Sequence, residues 1–126
     1  MSVVLDASAL LAWLHDEPGA ENVAEHLPDA CMSCVNWSEV IQKSLAKSVD
    51  VGGMRQDITA LGLALEPFTA THAEMTGALW ESTKRLGLSL GDRACLALAK
   101  DKSLPVLTTD REWKKLKTDV EISLIR

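Results

Sequence analysis

Residues 86–113, LGLSLGDRACLALAKDKSLPVLTTDREW, decide how the chain folds. Ser89 and Asp92 stand ahead of an apolar run at the S/T-x-x-acid spacing that opens a helix by exchanging hydrogen bonds between side chain and backbone. The helix, RACLALAKD, gives way to LPVLT, a short and wholly apolar run bounded by turn residues. An apolar strand fed by a helix is the unit of a parallel sheet covered on both faces. Two acids mark the corners of this unit: Asp92 near the start of the helix and Asp110 just beyond the strand.

Toward the N-terminus the same alternation repeats. SVVLD reads as a strand and ASALLAWLHDE as a helix, Pro18 and Pro28 bracket a second short helix in GAENVAEHL, and ACMSCV reads as the next strand. A helical stretch from about Asn36 to Lys47 follows, in which Val40, Ile41 and Leu45 approximate one apolar face. SVDVGGM is a turn, RQDITALG a helix and LALEPF a brief apolar run. Thr71 to Glu74 has the capping-box form, and the helix it opens stops at Lys84, Arg85 and Gly87. Past the deciding stretch, DREWKKL is a helical turn or two and VEISLI a last strand. The expected class is α/β: a central, mostly parallel sheet of about five strands with helices on both faces. In such sheets the working crevice lies outside the carboxyl ends of the strands.

Composition narrows the function. The chain has 126 residues, 47% hydrophobic and 25% charged, which is ordinary for a globular domain. Its net charge of −5 excludes a basic nucleic-acid coat, so any nucleic-acid contact has to be local. The N-terminal apolar run VVLDASALLAWL contains Asp6 and no basic leader, so a cytoplasmic chain without membrane contact is expected. The three cysteines, Cys31, Cys34 and Cys95, cannot all pair with one another. Positions three apart on a strand point to opposite faces, so Cys31 and Cys34 are expected to be small buried residues rather than zinc ligands.

Four acids fall where this architecture brings chains toward one edge. Asp6 ends the first strand, Glu39 follows the second, Asp92 begins the helix leading into the fourth and Asp110 follows the fourth. Each has an ordinary structural use: Asn36–Glu39 and Ser89–Asp92 resemble capping boxes, and Asp6 and Asp110 stand where N-caps and turn formers stand. Asp6 strains that explanation most, because a charge closing SVVL is desolvated unless it faces a crevice or a cation. Carboxylates crowded together repel one another and raise their own pKa values, and a hard divalent cation resolves the conflict. All-oxygen ligands select Mg²⁺ or Mn²⁺, which commonly act on phosphate oxygens.

The segments VVLDASALLAWL, VNWSEV, GLSLGDRACLALA and LPVLTTDREW, in this order over nearly the full length, resemble the motifs of PIN-domain proteins, and among them the VapC-type ribonuclease toxins of bacterial toxin–antitoxin modules. The resemblance implies a three-layer PIN-like fold forming one domain over residues 1–126, and Mg²⁺- or Mn²⁺-dependent cleavage of single-stranded RNA. It carries the four acids over as Asp6, Glu39, Asp92 and Asp110. Asp6 and Asp92 are then direct metal ligands, with Glu39 and Asp110 acting through water. Ser8, Asn36, Thr108 and Thr109 become the groups that orient carboxylates or bound water. Arg93 and Arg111, with Lys114, Lys115 and Lys117 nearby, become local phosphate contacts. A cognate antitoxin whose C-terminal segment blocks the site is implied, with Trp13, Leu10, Leu11 and Leu14 as a candidate wall of its groove. So is a homodimer with Trp80 at the interface. Two other readings compete. A phosphatase or phosphoacceptor domain also places aspartates at strand ends, but its nucleophilic pattern asks for a second acid where Ala7 and Ser8 stand. A non-catalytic binding module would keep the fold and use the acids only as caps.

Overall fold

The computed structural model describes residues 1–126. The strands are β1 (Val3–Leu5), β2 (Ala30–Ser33), β3 (Ala64–Glu66), β4 (Val106–Thr108) and β5 (Ile122–Leu124). They form one sheet in the order β3-β2-β1-β4-β5, every neighbouring pair parallel, with Val4 opposite both Cys31 and Val106. The expected sheet was mostly parallel; the one observed is parallel throughout.

Helices α1 (Ala7–Leu14) and α2 (Ala20–His26) connect β1 to β2, and α3 (Cys34–Ala46) and α4 (Met54–Ala60) connect β2 to β3. Both connections step in the same direction, so right-handed crossover places all four helices on one face. The chain then crosses back over β2 and β1 through α5 (Ala70–Ala78), α6 (Trp80–Thr83) and α7 (Leu90–Lys102), which the same rule puts on the other face. Side chains alternate accordingly. Val3, Leu5, Met32 and Leu107 pack with Leu10, Val23, Val40 and Ile58, whereas Val4, Cys31 and Val106 pack with Cys95, Leu98 and Trp113. Leu10 and Leu11 are core residues, and Trp13 and Leu14 pack partly buried against that core.

The reversal of strand order falls between β1 and β4. Connections leave these two strands in opposite directions, which opens a crevice beyond their carboxyl ends. Asp6 directly follows β1, and Thr109 and Asp110 follow β4, so the topology brings these residues to one crevice.

Local structure departs from the sequence expectations at several points. Strand β2 stops at Ser33, whose hydroxyl accepts the Val35 N–H at 3.2 Å and starts α3 at Cys34. Asn36 and Glu39 therefore lie inside the helix and form no capping box. Leu45 is 57% exposed, because it lies about 140° round the helix from Val40 at 100° per residue; the buried line is Asn36, Val40 and Ser44. Cys31 and Cys34 sit on a strand and a helix, both as free thiols, with Cys34 only half buried. Thr71 does not open α5. That helix is capped two residues earlier by Thr69, whose hydroxyl accepts the His72 N–H at 3.1 Å. Ser89 and Asp92 do form their box, with both reciprocal bonds present.

The start of α5 is directly testable. Thr69→Ala should destabilise the protein by about 1 kcal/mol in thermal or urea unfolding, whereas Thr71→Ala should change it by less than about 0.5 kcal/mol. A larger loss at Thr71 would restore the start expected from sequence.

Candidate active site

Asp6 is the innermost acid. It is 6% exposed, directly after the buried central strand. Its Oδ1 accepts the Ser8 hydroxyl at 2.7 Å and the Ala9 N–H at 2.9 Å, the second bond making it the N-cap of α1. Its Oδ2 accepts the Thr108 hydroxyl at 2.6 Å. Thr108 Oγ1 in turn accepts the Asp110 N–H, and Ser8 Oγ the Thr109 N–H, both at 3.0 Å. The corner after β4 is thereby pinned to the corner after β1. Thr109 takes part through its backbone, while Thr108 supplies the hydroxyl.

Glu39 and Asp92 approach from opposite layers. Asn36, 1% exposed, donates through Nδ2 to Glu39 Oε1 at 2.8 Å and to the Gly91 carbonyl at 2.9 Å, stitching α3 to α7. The Glu39 carboxylate lies against Gly91 where a Cβ would stand, so any side chain there would push that carboxylate aside. Asp92 Oδ2 accepts the Ser89 N–H at 3.0 Å as the capping-box acid. Asp110 is exposed, and its Oδ1 accepts the Glu112 N–H at 2.9 Å at the start of the 3₁₀ turn Arg111–Lys115.

All four acids line one cavity of about 260 Å³. Ser8, Asn36, Thr109 and Lys43 line it with them. Lys43 was not anticipated from sequence; its signal was the spacing, one helical turn beyond Glu39 on α3. The proposed phosphate contacts fall elsewhere. Arg93 Nη1 donates to the Thr76 carbonyl at 2.9 Å, tying α7 to α5, and Arg111 is exposed; neither lines the acidic cavity. Lys114 is bound to the Ile122 carbonyl at 2.6 Å and Lys115 to Glu112 at 2.9 Å.

Burial pushes the Asp6 carboxyl up from 3.8 to about 6, against the opposing pull of its hydrogen bonds to Thr108, Ser8 and Ala9 and with a further push from Asp92. The Cys95 thiol is held well above its ordinary value, first by burial and then by the charges of Asp6, Asp92 and Glu39. Burial also pushes the Cys31 thiol up to about 11. Both thiols stay protonated at neutral pH, and neither lines the cavity; its metal-ligating side chains are the oxygens of the four acids, with Ser8, Thr109, the Asn36 amide and the Lys43 ammonium beside them. No group of three or more His, Cys, Asp or Glu is drawn together closely enough to hold a metal ion by itself. A Mg²⁺ site of the usual kind, one or two carboxylates completed by water and substrate phosphate, would not need such a group. An ionised carboxylate offers about four acceptor positions; Asp92 and Asp110 each use one for capping, whereas Asp6 uses three and keeps about one.

A family model for the PIN domain matches residues 3–118. No curated protein matches the chain in sequence. Among solved structures, a toxin–antitoxin complex from Klebsiella pneumoniae superposes with a TM-score of 0.76 at 19% identity, covering 99% of this chain and 98% of its own. DNA-bound VapBC from Salmonella typhimurium gives 0.75 at 19%, covering 100% and 99%. VapC20 of Mycobacterium tuberculosis, a toxin that cleaves the sarcin–ricin loop, gives 0.73 at 13%, covering 90% and 94%. At these identities the likeness is one of fold.

The raised Asp6 pKa has a signed consequence. Between pH 4 and pH 6 the native protein keeps a proton that the unfolded chain has lost, so stability falls as pH rises through that window and levels off above it. At neutral pH the loss is on the order of 3 kcal/mol. Asp6→Asn should therefore melt higher than the wild type at pH 7.5 in EDTA, by roughly 5 °C or more, with the gap closing by pH 4. A variant less stable at every pH would reduce Asp6 to a helix cap.

Proposed function

The chain belongs to the PIN-domain family, and from that premise we propose that it is a divalent-metal-dependent endoribonuclease, the toxin of a toxin–antitoxin pair, formed by a single PIN domain over residues 1–126. The observation that carries the reading is the convergence of Asp6, Glu39, Asp92 and Asp110, from four separate segments, on one cavity at the point where strand order reverses. Acids that served only as caps would have no reason to share it.

Asp6 and Asp92 would hold Mg²⁺ or Mn²⁺ directly, and Glu39 and Asp110 through water. When bound, the ion acidifies an attacking water and offsets charge on the phosphate. The chain's own residues prepare that site. Ser8 and Thr108 hold the two Asp6 oxygens in place, so the carboxylate meets its ligand without rotamer loss. Asn36 fixes Glu39 from behind and leaves Oε2 free to accept from water. Above about pH 6 Asp6 is charged and receptive, and a bound cation extends that state to lower pH.

The fold likeness to toxins solved in complex with their antitoxins supports a cognate antitoxin as partner. An arginine or lysine from that partner would satisfy the acidic cavity as a cation does. A homodimer belongs to the same reading, with Trp80, 50% exposed and with the Lys84 ammonium 4.9 Å from its ring centroid, at the interface. So does a cytoplasmic setting; no helix is long and apolar enough to cross a membrane. The non-catalytic alternative keeps one observation in its favour, the caps made by Asp6, Asp92 and Asp110.

Two outcomes separate the readings. Purified protein should cut single-stranded RNA only with Mg²⁺ or Mn²⁺ and leave a 5′-phosphate and a 3′-hydroxyl, because water attacks phosphorus. A 2′,3′-cyclic phosphate, or full activity in EDTA, would contradict the mechanism. Asp6→Asn, Glu39→Gln, Asp92→Asn and Asp110→Asn should each remove most growth inhibition on induction while the proteins stay folded. Pairwise combinations should add little, since parts of one catalytic unit are not additive. Wild-type toxicity in any two single variants would break the single-site assignment.

A further inference from the structure

Beside the acidic cavity lies a second one of opposite character. Its volume is about 290 Å³, and its charged lining is Lys43, Lys47, Arg126 and a single acid, Glu17. Ser8, Lys43 and Thr109 line both cavities, so the two adjoin along these residues. Lys43 and Lys47 stand four apart at the end of α3 and share one side of it. Lys47 Nζ lies 3.9 Å from Glu17 Oε2, and Arg126 Nη1 3.7 Å from Glu17 Oε1, so one carboxylate serves two cations. Lys43 makes no ion pair. The groove thus carries three cationic side chains against one acidic side chain on a chain whose net charge is −5.

That imbalance calls for an anion, and its position says which. Arg93 and Arg111 do not line the acidic cavity, so the cations next to the carboxylates are those of this groove. A strand that brings one phosphate to the carboxylates has to place its neighbouring phosphate beside them. The geometry points to the Lys43–Lys47–Arg126 groove as the subsite for the RNA phosphate adjoining the scissile one, with Lys43 at the join between the two. The assignment rests on the ribonuclease reading above. Phosphate contacts of this kind set register and supply affinity without reading bases, and they release counterions, so their signature is salt dependence. Leu11 and Ala46 form the apolar part of the groove.

The test is steady-state cleavage of a short 5′-labelled single-stranded RNA in Mg²⁺, from 50 to about 300 mM KCl. Wild type is compared with Lys43→Met, Lys47→Met, the double variant, Lys43→Arg, and Lys100→Met, a surface control on α7. Lys43→Met and Lys47→Met should each lower kcat/KM about tenfold at low salt, mainly through KM, and each should flatten the log–log salt slope by roughly 0.7. Lys43→Arg should restore most of the slope, and Lys100→Met should leave both quantities unchanged. A double variant with wild-type KM and slope, measured where the wild type cleaves normally, overturns the subsite and leaves the ribonuclease reading intact. A folded wild type that leaves RNA uncut in both Mg²⁺ and Mn²⁺ overturns the ribonuclease reading, and the subsite with it.

Discussion

A carboxylate set at the end of a buried central strand is the constraint on which the rest of this structure depends. Asp6 follows three strand residues that are each 4% exposed or less, and it is itself 6% exposed. Left alone, such a group would give up its charge. Here the two hydroxyls and the helix-start N–H that surround it pull its pKa down, burial pulls harder, and the balance settles near 6. The donors come from both sides of the topological reversal, Ser8 and Ala9 after β1 and Thr108 at the end of β4. The interaction that keeps Asp6 ionisable therefore also fixes the relative position of the two strand ends that border the crevice.

The second layer of organisation answers a different problem, how to bring an acid from each helical layer over the same edge. Helices α3 and α7 start in opposite layers and meet at Asn36, which bonds to Glu39 on its own helix and to Gly91 on the other. The Glu39 carboxylate can rest against Gly91 because that residue has no side chain. Two of the acids are also held by the backbone. Asp92 and Asp110 each cap a helical segment through one oxygen, which holds the carboxylate in a set orientation while the other oxygen remains available. A cap of this kind fixes the rotamer in advance, so a cation bound there would not have to restrict it.

Much of this was legible in sequence because the signals were local and periodic. Short apolar runs gave the strands, and the Ser89–Asp92 spacing gave the start of α7, since the bonds involved span only three residues. The four acids could be picked out because each follows or precedes a strand in an architecture whose crevice is known. What failed was also local but ambiguous. Ser33, Cys34 and Asn36 all lie at the β2–α3 junction, and Ser33 takes the cap because the strand ends two residues before its apolar run does. Thr69 and Thr71 compete in the same way for α5, and the hydroxyl that reaches the His72 N–H is that of Thr69. Arg93 sits next to Asp92 in sequence but points toward Thr76 because consecutive residues diverge by 100° on a helix. Lys43 and Gly91 matter only once α3 and α7 are seen to converge, a tertiary fact that no single-segment pattern contains.

The central claim is that these four acids make one site for a hard divalent cation. Crystals of the protein soaked in MnCl₂ test it most directly, through the anomalous difference density of Mn²⁺. The account predicts one or two peaks inside the cavity lined by Asp6, Glu39, Asp92 and Asp110, with the nearest about 2.1 Å from an oxygen of Asp6 or Asp92. Mn²⁺ found only at exposed surface acids such as Asp101 or Glu81, with both Asp6 oxygens still engaged solely by Ser8, Ala9 and Thr108, would contradict it.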